Sequence, residues 1–467
     1  METQNEFVPE WIWVDDEGTT VYAQGYGHDL TIIFSFCADK HKPSTSLANR
    51  VCTKYEGLDT EDPASTFASF QDARDAIWGA IRHIWPLCVS HPDVGAKLDA
   101  VVGIDSIDDS VEKVAWNVYF HPIFPQFVQN LGDKSLGHMP TNPDKSVDFA
   151  SLIRYEQLGG KGCTTRVRLP TGEYSVFKGV DFRMALQYSD NEGSKIIRNL
   201  ISLWHREYNT LQRLPPHPNI HPPPTTLTTI RWPDRSALPV FCGGLFTYYP
   251  GGSAASRIKD SNKTGARIPL DLKARWCANM TAATYHVHRV AKTYHMDIKP
   301  GNFVADASDN LLLCDWEQHD APATTLAPEA DGTWDVMEDF ATLQAGRPLL
   351  RYTKYNGPPR RNVDEDVLGE APWHAWNVFP NWNNEHPWAL ELAEVFSLGR
   401  SMWMLLRQPE SDFEDIEHPD QLIKNWDKSE DIPTTWKQII DRCMSRDPNE
   451  RPDLSELVKF WTKEWSL

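Results

Sequence analysis

The sequence is short of positive charge. Across 467 residues, 46 lysines and arginines stand against 65 aspartates and glutamates, a formal net charge of −19. A chain this acidic lacks the basic footprint that gripping DNA or RNA requires, so no nucleic-acid partner is expected. Apolar runs are short as well. None approaches the roughly 18 residues of a membrane span. The opening Met1-Glu-Thr-Gln-Asn-Glu-Phe7 has no basic stretch leading into an apolar one, so no signal peptide is expected. Paired cysteines are missing. The eight (Cys37, Cys52, Cys88, Cys163, Cys242, Cys277, Cys314 and Cys443) are scattered, with no Cys-x-x-Cys and no Cys/His cluster at zinc spacing. A chain long enough to bury a core without cross-links is expected to keep them as buried thiols in an intracellular setting, cytoplasmic or nuclear. Aromatic residues are plentiful. With 19 Trp, 19 Phe and 14 Tyr, 11% of the chain, the composition excludes a disordered polymer. At about 100–200 residues per domain, the length allows two to four domains.

Residues 1–130 read as an α+β unit of unknown role. Trp11–Val14 and Thr19–Tyr22 flank the acidic turn Asp15–Gly18, which predicts a β-hairpin. Leu30–Phe36 predicts a further strand, and Ala68–Cys88 carries apolar residues at helical spacing. A polar linker is expected over 131–149. The chain then changes character. Leu158-Gly-Gly-Lys-Gly162, Thr165–Leu169 and Tyr174–Lys178 read as a glycine-rich hairpin and a third strand. Glycines there would let backbone N–H groups approach phosphate oxygens. The surface-hairpin reading carries equal weight for this stretch alone. A helix is predicted from Ser194 as N-cap to about Arg213. Glu207 falls on its apolar stripe with Leu203 and Leu211, where a buried carboxylate needs a partner. Lys178 on the preceding strand is available.

The segments that carry chemistry are Tyr294-His-Met-Asp-Ile-Lys-Pro-Gly-Asn302 and Leu311-Leu-Leu-Cys-Asp-Trp-Glu317. Asp297, Lys299 and Asn302 lie in one Pro/Gly loop, and Asp315 follows a short strand. Carboxylate and amide oxygens are hard ligands for Mg²⁺, and lysine neutralises phosphate charge, so the set suits a metal-bound polyphosphate.

Here the chain resembles the eukaryotic protein kinases. His295-Met-Asp297 is similar to the His-Arg-Asp loop, with Lys299 and Asn302 at the family's positions. Asp315-Trp-Glu317 stands where Asp-Phe-Gly is expected. Leu158–Val167 resembles the glycine-rich loop, with Gly160 and Gly162 its first glycines and Thr165 in place of the third. Val176-Phe-Lys178 is similar to the third-strand lysine motif, Glu207 to its helix partner, and Leu245–Gly252 to the hinge between lobes. Ala327-Pro-Glu329, Glu394–Gly399 and Asp447–Pro452 follow in the family's order, and the resemblance implies a Glu329–Arg451 pair. It covers about residues 150–465.

The resemblance implies a two-lobed protein kinase-like α+β fold (N-lobe about 150–250, C-lobe about 251–465) beside the N-terminal α+β unit. It implies transfer of the ATP γ-phosphoryl group to Ser/Thr hydroxyls of a protein substrate. Asp297 and Lys299 would be catalytic. Lys178, Glu207, Gly160, Gly162, Val167, Thr247 and Tyr249 would bind ATP, and Asn302 and Asp315 would hold Mg²⁺. Departures are visible. Met296 replaces an arginine, Glu317 a glycine and Glu394 an aspartate that in the family supports the catalytic loop, and the interval from Asp315 to Glu329 is short. A Trp-rich insertion, about 330–388, carries Trp334, Trp373, Trp376, Trp382 and Trp388 and is expected to pack down. Two rivals remain open: a small-molecule phosphotransferase of the aminoglycoside or choline type, in which an extra carboxylate sits beside the metal aspartate, and a pseudokinase scaffold.

Overall fold

The computed structural model describes residues 7–15, 17–56, 63–94, 97–106, 113–136, 146–159, 164–187, 190–231, 239–319, 321–344, 346–357, 378–409 and 424–466. Among them are fifteen strands and eleven α-helices, a mixed α/β architecture with several sheets. The chain divides into two compact units. The first comprises residues 1–205 and 224–248, and the second 206–223 and 249–467.

The first unit holds two sheets. One is five-stranded in sequential order: β1 (Val8–Val14), β2 (Thr20–Gly27), β3 (Leu30–Cys37), β4 (Ala100–Asp105) and β5 (Ala115–Phe120). The hairpin forms as the acidic turn predicts. Asp15 Oδ1 accepts from the amides of Thr19 (2.8 Å) and Thr20 (3.0 Å), which pins the β1–β2 register at Val14 opposite Val21. The apolar faces of α1 (Leu47–Glu56) and α2 (Pro63–Cys88) close over the sheet. Ile77, Ile81 and Ile84, one helical face, meet Val21, Phe34 and Phe36, residues two apart on their strands.

After α3 (Phe124–Leu131), the second sheet runs β6-β10-β11-β9-β8-β7. Its strands are β6 (Ser146–Asp148), β7 (Ile153–Gln157), β8 (Thr164–Arg168), β9 (Tyr174–Gly179), β10 (Thr226–Ile230) and β11 (Val240–Thr247). Residues 146–148, within the stretch read as a linker, pair parallel with β10 as β6. Two helices follow β9: α4 (Phe182–Ala185) and α5 (Asp190–Arg213). The expected N-cap at Ser194 is corrected, because α5 begins four residues earlier, at Asp190. Ser194 Oγ instead accepts from Gln126 Nε2 and Asn130 Nδ2, each at 3.3 Å.

A buried polar network joins the two sheets. Arg183 donates to Asp181 Oδ2 (2.7 Å), to Gln24 Oε1 on β2 (2.8 Å) and to Thr165 Oγ1 on β8 (3.0 Å). Thr165 therefore spends its hydroxyl on this joint, at 0% exposure. Gln24 in turn donates to Glu10 on β1.

The second unit takes up α5 at Arg206 and continues with α6 (Ala254–Thr264), α7 (Leu270–Tyr285), the hairpin β12 (Phe303–Ala305) and β13 (Leu311–Leu313), and a second hairpin, β14 (Trp334–Gln344) with β15 (Arg347–Lys354). It ends with α8 (Phe379–Glu385), α9 (Pro387–Arg407), α10 (Thr434–Cys443) and α11 (Leu454–Trp465). Helix α9 is buried on nearly every side, with 17 of its 21 residues in the core, so it acts as the post of this unit. Gly399 lets α10 approach, since a Cβ there would lie 2.5 Å from Cys443 Cβ. The expected Glu329–Arg451 pair forms, bidentate and buried, with one arm at 3.0 Å. The β14–β15 hairpin packs down through Arg347, which donates to the Asn449 and Arg451 carbonyls. Trp382 is buried, whereas Trp373 and Trp376 lie outside the described residues. Cys52, Cys88, Cys242, Cys277 and Cys443 are buried free thiols, while Cys37 is exposed. No described helix is long and apolar enough to cross a membrane.

Burial pushes the Glu10 carboxyl up from 4.5 to about 7, with Arg183 pulling the other way. A folded-state pKa above the unfolded one means the fold binds the extra proton. The resulting penalty is absent below about pH 4.5, grows as pH rises and is complete above about pH 7. Glu10→Gln should therefore be more stable than the parent at pH 8 and indistinguishable from it at pH 4. Urea unfolding at the two pH values checks this.

Candidate active site

The site is built on the second unit's buried helices. Helix α7 does not end in a regular turn; residues His286–Val290 form a π-turn, a distortion common at functional sites. It delivers the chain into the loop 291–302. Glu394 of α9, 0% exposed, takes hold of that loop from beneath. Its Oε1 accepts from the amides of His295 (2.9 Å) and Met296, and its Oε2 meets His288 Nε2 at 2.6 Å. Burial pushes the Glu394 carboxyl up, but these hydrogen bonds and the nearby imidazoles outweigh it and hold the pKa below the ordinary value. Two turns further along α9, Ser401 Oγ donates to the Ile298 carbonyl at 3.0 Å.

Held this way, Met296 is buried at φ 77 and Asp315 sits at φ 71. Side chains avoid the left-handed region unless the surroundings impose it, and such positions concentrate at working sites. His295 ties the two strained residues together. Its Nε2 lies 2.9 Å from the Cys314 carbonyl, and its ring meets the buried Trp316 edge-on at 4.7 Å.

Asp297 Oδ2 receives Lys299 Nζ at 2.7 Å and Asn302 Nδ2 at 2.9 Å. Asn302 Nδ2 also donates to the Asp297 carbonyl at 2.8 Å. Its amide nitrogen thus fixes the aspartate, which leaves the amide oxygen as an acceptor. Asp297 Oδ1 is buried with no hydrogen-bond partner among the described residues. Burial raises the Asp297 pKa; Lys299 opposes the rise and the Asp315 charge adds to it. A buried carboxylate with one oxygen pinned and the other unengaged is shaped to accept a proton.

Glu207, 2% exposed, accepts the Trp316 amide at 3.2 Å. The carboxylates of Glu207, Asp315 and Glu317 come within 4.8 Å of one another. Such a set of hard oxygen donors fits a divalent cation of the Mg²⁺ class. Glu317 thus lies beside Asp315, where the small-molecule phosphotransferase reading of the sequence put an extra carboxylate, whereas Glu207, expected only as a partner for Lys178, joins the cluster unforeseen. For Glu317 the signal was its spacing, since alternate residues flanking a buried Trp316 reach the same side.

Of the other candidates, Lys178 lies on β9 opposite Gly244, Val167 is buried on β8, and Thr247 ends β11, all in the first unit. Tyr249 begins the second unit and packs edge-on against His221 at 5.4 Å. Gly160 and Gly162 lie outside the described residues.

No protein-family model matches the sequence. Among curated proteins, the chain is similar to human mitogen-activated protein kinase kinase kinase 7, at 24% identity over 205 residues, which is 40% of this chain and 25% of that protein. It is also similar to the Caenorhabditis elegans mitogen-activated protein kinase kinase kinase mlk-1, at 23% identity over 232 residues, covering 48% of this chain and 20% of that one. The matched part therefore spans a quarter or less of these relatives. The similarity supports a distant, protein kinase-like relationship.

Because Glu394 secures two buried amides, Glu394→Ala should destabilise the chain by about 2–6 kcal/mol at pH 7, near 1–3 kcal/mol per orphaned donor. A depressed folded-state pKa contributes stability that is present above about pH 4.5 and lost as pH falls through the folded value. Glu394→Gln should flatten this acid-side loss in urea titrations.

Proposed function

We propose that the chain is an ATP- and Mg²⁺-dependent protein kinase with a two-lobed fold over about residues 150–465, transferring the γ-phosphoryl group to Ser or Thr hydroxyls. The observation that best supports this is the unpartnered, buried Oδ1 of Asp297 beside the Asp315 carboxylate group. In this reading Asp297 Oδ1 takes the proton of the attacking hydroxyl, and its raised pKa makes it a better acceptor than an exposed aspartate. Lys299 steadies charge on the group in transit. Lys178, held by Glu207, grips the α- and β-phosphates, while Gly160, Gly162, Val167, Thr247 and Tyr249 line the nucleotide. Asp315 and the Asn302 amide oxygen hold Mg²⁺, with Glu317 as a further ligand. When bound, the cation neutralises phosphate charge and aligns the chain for in-line transfer.

A second reading is favoured by Glu317. An extra carboxylate beside the metal aspartate suits a small-molecule phosphotransferase. The retained Lys178, Asp297 and Asp315 weigh against a scaffold without turnover. Incubation of the purified chain with Mg²⁺ and γ-labelled ATP, with a generic basic protein or with choline and aminoglycosides, separates the three. Label on protein supports the main reading, label on a small molecule the second, and nucleotide binding without transfer the scaffold.

Asp297→Asn should keep nucleotide binding and lose transfer by about 10²–10⁴-fold; turnover near the parent level would exclude Asp297 as the base. Phosphorylation between Asp315 and Glu329 should not be the switch. The hydroxyl residues there are Thr324 and Thr325, Thr325 is 1% exposed, and Met296 offers no charge to receive a phosphate. Phosphatase treatment and the Thr324→Ala/Thr325→Ala variant should each leave the transfer rate within a few-fold of the parent.

A further inference from the structure

A cavity of about 360 Å³ opens in the second unit on the far side of the His288–Glu394 contact, lined by residues of the π-turn, the loop after it and the start of α9. It takes no part in the chemistry described above. Its volume falls in the range of small-molecule sites. Its walls differ from the rest of this acidic chain. Arg289 and Lys292 bring two cations, against the single carboxylate of Glu391, which pairs with Arg289 at 2.8 Å. Lys292 stands exposed at the rim in the left-handed region, φ 55, with no ion pair among the described residues. Arg289 Nε is buried without a hydrogen-bond partner, and its guanidinium lies 4.3 Å from the Trp388 ring centre. The Trp388 and Leu390 side chains make the wall apolar, and Asn383 adds an amide.

We propose that this cavity is a binding site for a small organic anion, an apolar body carrying a phosphate or carboxylate. Arg289 and Lys292 take the anion, Arg289 through the part of its guanidinium that Glu391 leaves open. Trp388 and Leu390 cover the apolar body. His288 forms the back wall and contacts Glu394, whose other oxygen holds the His295 and Met296 amides. Occupancy of the cavity is thereby coupled to the loop that carries Asp297. The binding claim is independent of the phosphotransferase reading, since it requires no turnover.

Phenyl phosphate is the probe, titrated calorimetrically into the full chain, with inorganic phosphate and benzyl alcohol testing each half alone. One site is expected for phenyl phosphate, with weaker or no binding of either half. Lys292→Gln and Trp388→Ala should each lower the affinity at least tenfold. Lys178→Met and Asp297→Asn, which alter the proposed nucleotide and catalytic groups, should leave it unchanged. Hydrogen exchange at the His295 and Met296 amides should slow when the probe is bound to the parent and not in Lys292→Gln. Absence of binding, or affinity indifferent to Lys292→Gln and Trp388→Ala but lost in Lys178→Met, overturns the site. Unchanged exchange at the two amides on saturation overturns the coupling.

Discussion

One buried carboxylate organises the second unit. Glu394 sits in a helix enclosed by the core, so it cannot reach water and must be satisfied by protein donors. The donors at hand are two consecutive amides, His295 and Met296, and the His288 imidazole. Two successive N–H groups can converge on one oxygen only if the chain between them turns sharply. Met296 makes that turn in the left-handed region. The left-handed turn at Met296, and with it the placement of the adjacent Asp297, thus goes with the burial of this one carboxylate. Longer than an aspartate by one methylene, Glu394 still reaches the loop because its helix presents it from within the core.

The two strained residues are cross-braced. Met296 follows His295, and Asp315 follows Cys314, whose carbonyl meets the His295 ring. Trp316 fills the space against that ring, and its amide goes to Glu207. Each left-handed residue costs about 1–3 kcal/mol, and each is held by a neighbour with a buried hydrogen bond. A loop fixed at both ends in this way needs little rearrangement to present Asp297, which is what positioning by a rigid scaffold requires.

Local chemistry was legible in the sequence where the signal was local. The β1–β2 hairpin followed from an acidic turn between alternating apolar residues, and α2 from its apolar spacing. Asp297, Lys299 and Asn302 stood out because they crowd into one Pro/Gly loop, but the contacts Asp297 makes with Lys299 and Asn302 were not foreseen. The start of α5 was misread because a good N-cap residue also serves as an acceptor inside a helix, as Ser194 does for Gln126 and Asn130. The role of Glu394 in gripping the loop was suggested by the family resemblance alone, since no local pattern marks a partner about one hundred residues away. His288 and the cavity beside it had no sequence signature, because the π-turn that aims the imidazole is a departure from regular helical period.

Electrostatic conflict at the carboxylate cluster is the remaining feature to be explained. The carboxylates of Glu207, Asp315 and Glu317 lie within 4.8 Å of one another, and the Asp315 charge also raises the Asp297 pKa. Like charges at this separation repel by about 1 kcal/mol in water and by several in a partly buried site. The sequence bears an excess of 19 negative charges, so gathering more of them at one point is unfavourable for folding by itself. Glu207 is the most buried of the three and is tied to the Trp316 amide, so it cannot swing away without opening the core. Local choices that oppose stability mark the places where a fold serves something other than its own stability. A divalent cation at this point would offset the three mutual repulsions with three attractions of its own. The same cation would offset the part of the rise in the Asp297 pKa that comes from the Asp315 charge, leaving burial and Lys299 to set it.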